Sequence, residues 1–82
     1  MDFEGINFPV YRKYKNNKSY FKIIHPKLFE QIQVIGSKKN MFEIKAKQFP
    51  ELMFIHDLVF NDTEIAVEIG EEEYLHLRNG ED

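Results

Sequence analysis

Residues 41–60 read MFEIKAKQFPELMFIHDLVF, and this window contains more large apolar side chains than any other window of its length in the chain. It divides into a strand-like part, a Pro-Glu corner and a second, very apolar part. The segments on either side have narrower apolar faces, and burying those faces requires a partner. We therefore expect this window to form the centre of the hydrophobic core.

The first part of the window has the pattern of a strand. Apolar side chains at Phe42, Ile44 and Ala46 are separated by charged ones. A period of two places alternate side chains on opposite faces of a sheet, so these three residues are expected to face the core with the charges outward. Pro50 cannot donate to an interior ladder, and the strand should end before it.

Residues 52–60 allow two interpretations. Pro50 and Glu51 suit the first turn of a helix, and the apolar residues that follow could form a helical stripe. The same segment is rich in aromatic and β-branched residues, which favour a strand. We predict a strand here and keep the helix as the alternative.

The chain after residue 60 is predicted to form a turn, a strand and a helix. Residues 61–63 are Asn-Asp-Thr, which are typical of turns. Three glutamates from Glu71 onward complement the dipole at a helix N-terminus, so a C-terminal helix should begin at about that residue. The residues of the strand that are expected to face the core are Ile65, Val67 and Ile69.

The N-terminal part contains a predicted hairpin over residues 10–25. Asn16 and Asn17 separate two aromatic and β-branched runs, and asparagine tolerates the positive φ that a type I′ turn demands. With this loop, the core side holds Val10, Arg12, Tyr14, Ser19, Phe21 and Ile23, among which Arg12 is the one charged member. The outward side holds Tyr11, Lys13, Lys15, Lys18, Tyr20 and Lys22.

Pro26 begins the next segment. A proline in the first turn predicts a short helical turn in which Leu28, Phe29 and Ile32 share a face. Residues 31–36 alternate in polarity, and we expect them to form a strand.

These segments together predict a single small α+β domain. It contains an antiparallel sheet of about five strands, an N-terminal hairpin, a short helical turn after Pro26 and a C-terminal helix. A chain of 82 residues is too short for two independent cores. We expect residues 1–8 to be a flexible arm or an edge strand and residues 79–82 to be a frayed tail. The candidate anchors of the arm are Phe3, Ile6 and Phe8.

From the composition we expect a cytoplasmic protein, or one delivered by a route that the sequence does not show. The absence of cysteine excludes disulfides and thiolate-bound metals, and it fits a reducing compartment. The first residues are acidic and are interrupted by Gly5 and Pro9, unlike a signal peptide. Every apolar run falls short of the roughly 20 residues that span a bilayer, so we expect no membrane partner.

The charges are divided between the two parts of the chain. Residues 1–48 contain ten Lys or Arg and four acidic residues, whereas residues 49–82 contain one Arg and ten acidic residues. Such asymmetry can orient a charged partner. The simpler interpretation, which we favour, is that the two parts fold onto each other and neutralise their charges.

The residues that could carry out chemistry form no catalytic or cofactor motif. Histidine metal sites usually show a local pair, but His25, His56 and His76 are far apart in the sequence. The serines, threonine and glycines match no nucleophile or phosphate-binding motif. We therefore expect a protein that is not an enzyme and that needs no metal or cofactor.

Two functions are consistent with these sequence patterns. The first is protein association, in a homodimer or with another chain, because a strand over residues 52–60 would be apolar on both faces. The side chains expected to take part are Met53, Phe54, Ile55 and Leu58. The alternative is single-stranded nucleic-acid binding by the outward side of the hairpin, where lysines could follow phosphates and tyrosines could stack on bases. Protein association is favoured because the pI of about 5.6 opposes polyanion binding.

Overall fold

The computed structural model describes residues 3–61 and 64–80. In these residues the chain forms five strands and two helices. The strands are β1 (Val10–Tyr14), β2 (Ser19–His25), β3 (Leu28–Ile35), β4 (Lys38–Lys45) and β5 (Ala66–Glu68). The helices are α1 (Phe49–Phe60) and α2 (Glu71–Arg78). The strands form one antiparallel sheet in the order β4-β3-β2-β1-β5, which confirms the predicted α+β class.

Each face of the sheet is covered by one helix. Successive side chains of a strand point to opposite faces, so β1, β2 and β3 each contribute to two separate cores. The core under α1 includes Val10, Phe21, Ile23, Phe29, Ile55 and Leu58. The core under α2 is smaller and consists of Tyr11, Ile32 and Tyr74, with Tyr20, Ile69 and Leu77 packed against it.

The N-terminal hairpin has the predicted register but a different turn. Lys13 pairs with Tyr20, as predicted. The backbone N–H of Asn17 donates to the carbonyl of Tyr14 at 2.9 Å, and Asn17 has a φ of 61°, whereas Asn16 does not have a positive φ. A type I′ turn requires positive φ at both positions. The predicted turn type is therefore wrong.

The predicted helical turn after Pro26 is also wrong. Pro26 and Lys27 form the turn between β2 and β3, because the fixed φ of proline suits a β-turn as well as the first turn of a helix. The apolar residues that follow are spaced as in a helix because β3 is buried on both faces. Phe29 packs in the core under α1, and Ile32 packs in the core under α2.

Residues 52–60 form most of α1, so the strand predicted for them is wrong. Pro50 lies in the first turn, and the Glu51 carboxylate accepts a hydrogen bond from the backbone N–H of Gln48 at 3.0 Å. These are the N-terminal signals of the alternative helix. The buried residues of the helix are Ile55, Leu58 and Val59. Their spacing forms a helical stripe, and its burial outweighs the β propensity of the segment.

The segment after α1 differs from its prediction in the residues that it buries. The predicted turn at residues 61–63 includes residues 62 and 63, which lie outside the described part of the chain. Ala66 of β5 is buried and contributes to the core under α1, whereas Ile65 is 47% exposed. The prediction that Ile65 faces the core is therefore wrong. Ile69 does pack against a core, the one under α2.

The two ends of the described chain agree with the expected anchors. The side chains of Phe3, Ile6 and Phe8 pack against the core under α1. The helix α2 begins at Glu71, as predicted, and Tyr74 is its buried residue. The predicted arm and tail extend to residues 1–2 and 81–82, which lie outside the described residues.

Candidate interaction surface

The four apolar residues predicted for protein association do not form one surface. Ile55 and Leu58 are 0% and 1% exposed, and they belong to the core under α1. Phe54 is half-buried, with its ring centroid 5.6 Å from that of Phe21. Met53 is 42% exposed. Because α1 is a helix, consecutive residues point in different directions, and Met53 alone of the four is exposed.

The outward side of the N-terminal hairpin lies partly under α2. Tyr11 is buried there, with its ring centroid 5.4 Å from that of Tyr74. The Tyr11 hydroxyl donates to the Glu71 carboxylate at 2.9 Å. Burial raises the pKa of Tyr11, and the hydrogen bond to Glu71 raises it further. The Tyr11 ring therefore cannot stack on bases in this fold.

The lysines of the same side differ in their environment. Lys13 donates to the Glu73 carboxylate at 2.8 Å, and this hydrogen bond raises the pKa of Lys13. Lys15 and Lys18 are exposed in the loop, while Tyr20 and Lys22 are half-buried. The acidic first turn of α2 thus pairs with part of the basic surface, which is the neutralisation that the divided charges predicted.

Tyr74 connects α2 to the sheet through a buried hydroxyl. This hydroxyl donates to Oε1 of Glu30 in β3 at 2.7 Å, and Nε of Arg78 donates to the same oxygen at 3.1 Å. Burial raises the pKa of Tyr74, and the hydrogen bond to Glu30 adds to this effect. These contacts give α2 a specific position on the sheet, so they are structural in character.

The strand β4 is the most exposed strand of the sheet. Among the described residues it has one strand neighbour, β3, so its other edge is open. Met41 and Phe42, at the centre of the strand, are 49% and 46% exposed on opposite faces. The prediction that Phe42 faces the core is therefore wrong, because α1 does not cover this edge of the sheet. The other two residues that were predicted to face the core do so, since Ile44 is half-buried and Ala46 is buried.

The backbone groups at the open edge follow from the pairing of β4 with β3. The N–H of Ala46 donates to the carbonyl of Lys27 at 2.8 Å. In an antiparallel pair, hydrogen-bonded residues alternate with residues whose N–H and C=O point away from the neighbouring strand. When this alternation is continued from Ala46 to Lys38, the N–H and C=O groups of the even-numbered residues of β4 point towards β3. The N–H and C=O groups at the open edge therefore belong to Lys39, Met41, Glu43 and Lys45.

The two edges of the sheet are protected to different degrees. β5, at the other edge, has three residues, and short edge strands resist pairing with other chains. β4 has eight residues, pairs with β3 without a bulge and contains no proline. Its charged side chains are its protective feature, and the lysines among them lie near its two ends. This long, regular edge was not predicted, since sequence shows that a strand exists but not its place in the sheet.

The histidines of the described chain do not belong to a metal site. His56 packs between aromatic rings, with its centroid 4.6 Å from that of Phe60 and 5.9 Å from that of Phe3. Nδ1 of His25 accepts a hydrogen bond from the backbone N–H of Lys27 at 3.2 Å. Within residues 3–61 and 64–80, no group of three or more His, Asp or Glu side chains has the arrangement of a metal site.

A shallow apolar cleft lies beside the start of α1. It is lined by Phe3, Glu4, Pro26, Lys27, Phe49 and Leu52. Phe49 is the most exposed aromatic residue of the described chain. The cleft brings the N-terminal arm next to the turn between β2 and β3, and four of its six lining residues are apolar.

Comparisons with known proteins do not add a family. The chain matches no protein-family model, no curated protein and no solved structure. In the described part of the chain, neither helix has the length and apolar character that crossing a membrane requires.

Proposed function

We propose that the protein is a non-enzymatic protein–protein interaction module that binds an extended segment of another protein chain at the open edge of β4. The observation that supports this proposal is the edge itself, which is eight residues long, regular and open, with Met41 and Phe42 exposed at its centre. An added strand would satisfy the outward N–H and C=O groups of β4. It would also cover an apolar side chain on each face.

This mode of recognition separates affinity from specificity. The backbone hydrogen bonds of an added strand provide affinity for extended segments in general, whereas side chains that alternate between the two faces select among them. Met41 provides an apolar contact on the face of α2, and Phe42 provides one on the face of α1. Lys39 and Glu43 lie on either side of Met41 on its face, so charge contributes to the selection.

Single-stranded nucleic-acid binding by the hairpin is the alternative. The exposed side chains of Lys15 and Lys18 favour it. The burial of Tyr11 and the pairing of Lys13 with Glu73 weigh against it, because they remove one stacking ring and one cation. Phosphate contacts release counterions, so such binding should weaken steeply with salt.

Photo-cross-linking in the cells that express the protein tests the proposal. A photoreactive phenylalanine analogue replaces Phe42, and in a control protein it replaces Lys15 instead. We expect the probe at position 42 to form an adduct with a defined peptide of a protein, and we expect Met41→Pro to abolish it. This substitution removes one outward N–H of the edge. Adducts with nucleic acid, or adducts no more abundant than those of the Lys15 control, would contradict the proposal.

A salt titration with a labelled single-stranded oligonucleotide tests the alternative separately. We expect no binding by the purified protein at low salt. Binding that is lost as salt increases and that is weakened by Lys15→Glu and Lys18→Glu would support the hairpin surface instead.

A further inference from the structure

The backbone of β4 limits the registers that a partner strand can adopt. The outward N–H and C=O groups belong to Lys39, Met41, Glu43 and Lys45, as derived above from the pairing with β3. Hydrogen-bonded residues of an antiparallel pair lie directly opposite each other. If the partner is β4 of a second copy, the outward residues of one strand must therefore oppose the outward residues of the other.

Four registers of two β4 strands satisfy this condition near the centre of the strand, and they differ in their charges. An axis through Asn40 would place Lys39 opposite Met41 twice, without an ion pair. A two-fold axis through Glu43 would place the two Glu43 carboxylates opposite each other. An axis through Phe42 would place Lys39 opposite Lys45 twice. An axis through Met41 would place Lys39 opposite Glu43 twice. Opposite charges that face each other stabilise a sheet and like charges destabilise it, so the register about Met41 is favoured.

We infer that two copies of the chain pair antiparallel through β4, about a two-fold axis at Met41, and form one continuous ten-stranded sheet. The inference rests on the proposed function and specifies its partner, because the extended segment bound at the edge is β4 of a second copy. Three hydrogen-bonded pairs connect the copies: Met41 with its symmetry mate, and Lys39 with Glu43 in both directions.

The environment of Glu43 supports this register. Its direct neighbour on β3 is Glu30, another acid. Glu30 has its own partners, since it accepts hydrogen bonds from Tyr74 and Arg78. Glu43 forms no ion pair or side-chain hydrogen bond within the described residues. Lys39 of the second copy would place a cation on the open side of Glu43 and offset the repulsion from Glu30.

The Lys39 side chain is partly ordered on the face of α2. Its Nζ donates to the carbonyl of Leu77 at the end of α2, at a distance of 2.9 Å. An ammonium group has three hydrogens, so this contact leaves two for a carboxylate on the same face. The side chain is therefore partly ordered in the isolated chain, which lowers the entropy that an intermolecular ion pair must offset.

In this register the exposed side chains of Met41 and Phe42 lie close to the same side chains of the second copy. Met41 faces Met41 of the second copy across the axis on the face of α2. On the other face, Phe42 lies opposite Asn40, and the two Phe42 rings are diagonal neighbours. Diagonal neighbours in a sheet are about 7 to 8 Å apart, which aromatic side chains can span.

Single cysteines can test the register, because the chain contains none of its own. The purified Met41→Cys protein is oxidised mildly and compared with Phe42→Cys and Glu43→Cys. Hydrogen-bonded partners have Cα atoms about 5.5 Å apart, which lies within the range for a disulfide. We expect Met41→Cys to form the covalent dimer at least about tenfold faster than the other two. Faster dimer formation by Phe42→Cys or Glu43→Cys would identify a different axis and overturn the inference.

Charge reversal provides an independent test by sedimentation equilibrium. We expect Lys39→Glu and Glu43→Lys each to weaken the wild-type dimer by about tenfold or more, because each sets like charges opposite each other twice. A mixture of the two single variants should form a heterodimer in which both pairs are again opposite in sign. The double variant should recover its homodimer. Lys45→Glu is the matched control, since residue 45 would lie opposite Ser37, and we expect less than about a threefold change.

The outcomes separate this inference from the proposed function. A wild-type protein that remains monomeric at millimolar concentration overturns the inference, and so does a dimer that Glu43→Lys does not weaken. The Glu43 side chain is exposed and forms no ion pair or side-chain hydrogen bond within the described residues, and circular dichroism melting checks that the variant is folded. If the protein is monomeric but the probe at Phe42 still cross-links to another protein, the interaction module stands and its partner is not a second copy. If both experiments are negative, both proposals fail.

Discussion

Arg12 of β1 donates from its Nε to the carbonyl oxygen of Leu58 at 3.0 Å, near the C-terminal end of α1. Its Nη2 also donates to the carbonyl of Val59 at 3.0 Å. The last carbonyls of a helix lack partners within the helix, and a cation there also complements the helix dipole. The charged residue on the core side of the hairpin is therefore the group that completes the end of α1, even though desolvation lowers its pKa.

Replacing Arg12 with methionine should destabilise the fold. The substitution leaves two partly buried carbonyls without donors, and we expect the free energy of unfolding to fall by about 2 to 4 kcal/mol. Urea denaturation followed by circular dichroism measures this change. Glu68→Gln is the control, because Glu68 lies 3.7 Å from Arg12 and is largely exposed. A change of less than about 0.5 kcal/mol is expected for the control, and an equal loss in both variants would contradict the proposed role of Arg12.

The Tyr74→Phe substitution should reduce the amount by which the free energy of unfolding falls at alkaline pH. The pKa of Tyr74 is raised in the folded protein above the ordinary value of 10.0. Its contribution is therefore fully present below pH 10 and is lost as pH rises above that value, because the unfolded chain loses the tyrosine proton first. Tyr11 shifts in the same direction and should account for part of the remaining slope.

Urea denaturation of wild type and Tyr74→Phe between pH 8 and about pH 11.5 measures this difference. At pH 8 the variant should lose about 1 to 2 kcal/mol, since the hydrogen bond to Glu30 is removed. The prediction fails if the two proteins lose stability in parallel above pH 10.

Proline substitutions in β4 should differ according to the direction of the N–H that each one removes. Met41→Pro removes an outward N–H and should change the free energy of unfolding by less than about 1 kcal/mol, whereas Phe42→Pro removes a hydrogen bond to β3 and should cost about 3 kcal/mol or more. Thermal unfolding of the two variants at low protein concentration, where any dimer is dissociated, measures the difference. Equal losses would contradict the assignment of outward groups on which the proposals rest.

Truncations in α1 should distinguish the core from the surface. Leu58→Ala removes a fully buried side chain and should cost about 2 to 5 kcal/mol. Met53→Ala removes a partly exposed one and should cost less than about 1 kcal/mol. Urea denaturation of both variants tests this pair, and comparable losses would show that Met53 is buried in solution.

The parts of the fold that could be predicted from sequence are those in which local signals agree with one another. The pair Asn16 and Asn17 between β-type runs specified the register of the first hairpin, and the glutamates from Glu71 marked the start of α2. Burial on both faces of a strand hides such signals, which is why β3 resembled a helical turn. At α1 the β propensity of the segment predicted a strand, whereas Pro50 and Glu51 predicted the start of a helix. Packing of the apolar stripe into the core stabilises the helix.

The candidate sites depended more on tertiary structure. The outward side of the hairpin had the predicted composition, but the sequence did not show that α2 would pack on Tyr11 and pair with Lys13. The exposure of Phe42 likewise depends on the position of β4 at the end of the sheet. Strand order results from long-range packing, and no local pattern within residues 38–45 encodes it.

The amino-acid sequence by itself determined the α+β class, the first hairpin, the C-terminal helix and the attraction between a basic and an acidic part of the chain. Each of these depends on spacing, turn chemistry or charge within a short segment. Only the tertiary structure decided that residues 52–60 are helical, that Ile55 and Leu58 are core residues and that β4 has an open edge. The physical reason is that burial depends on which segments meet in space, and this competition among packing partners outweighs local preferences of about 1 kcal/mol or less per residue.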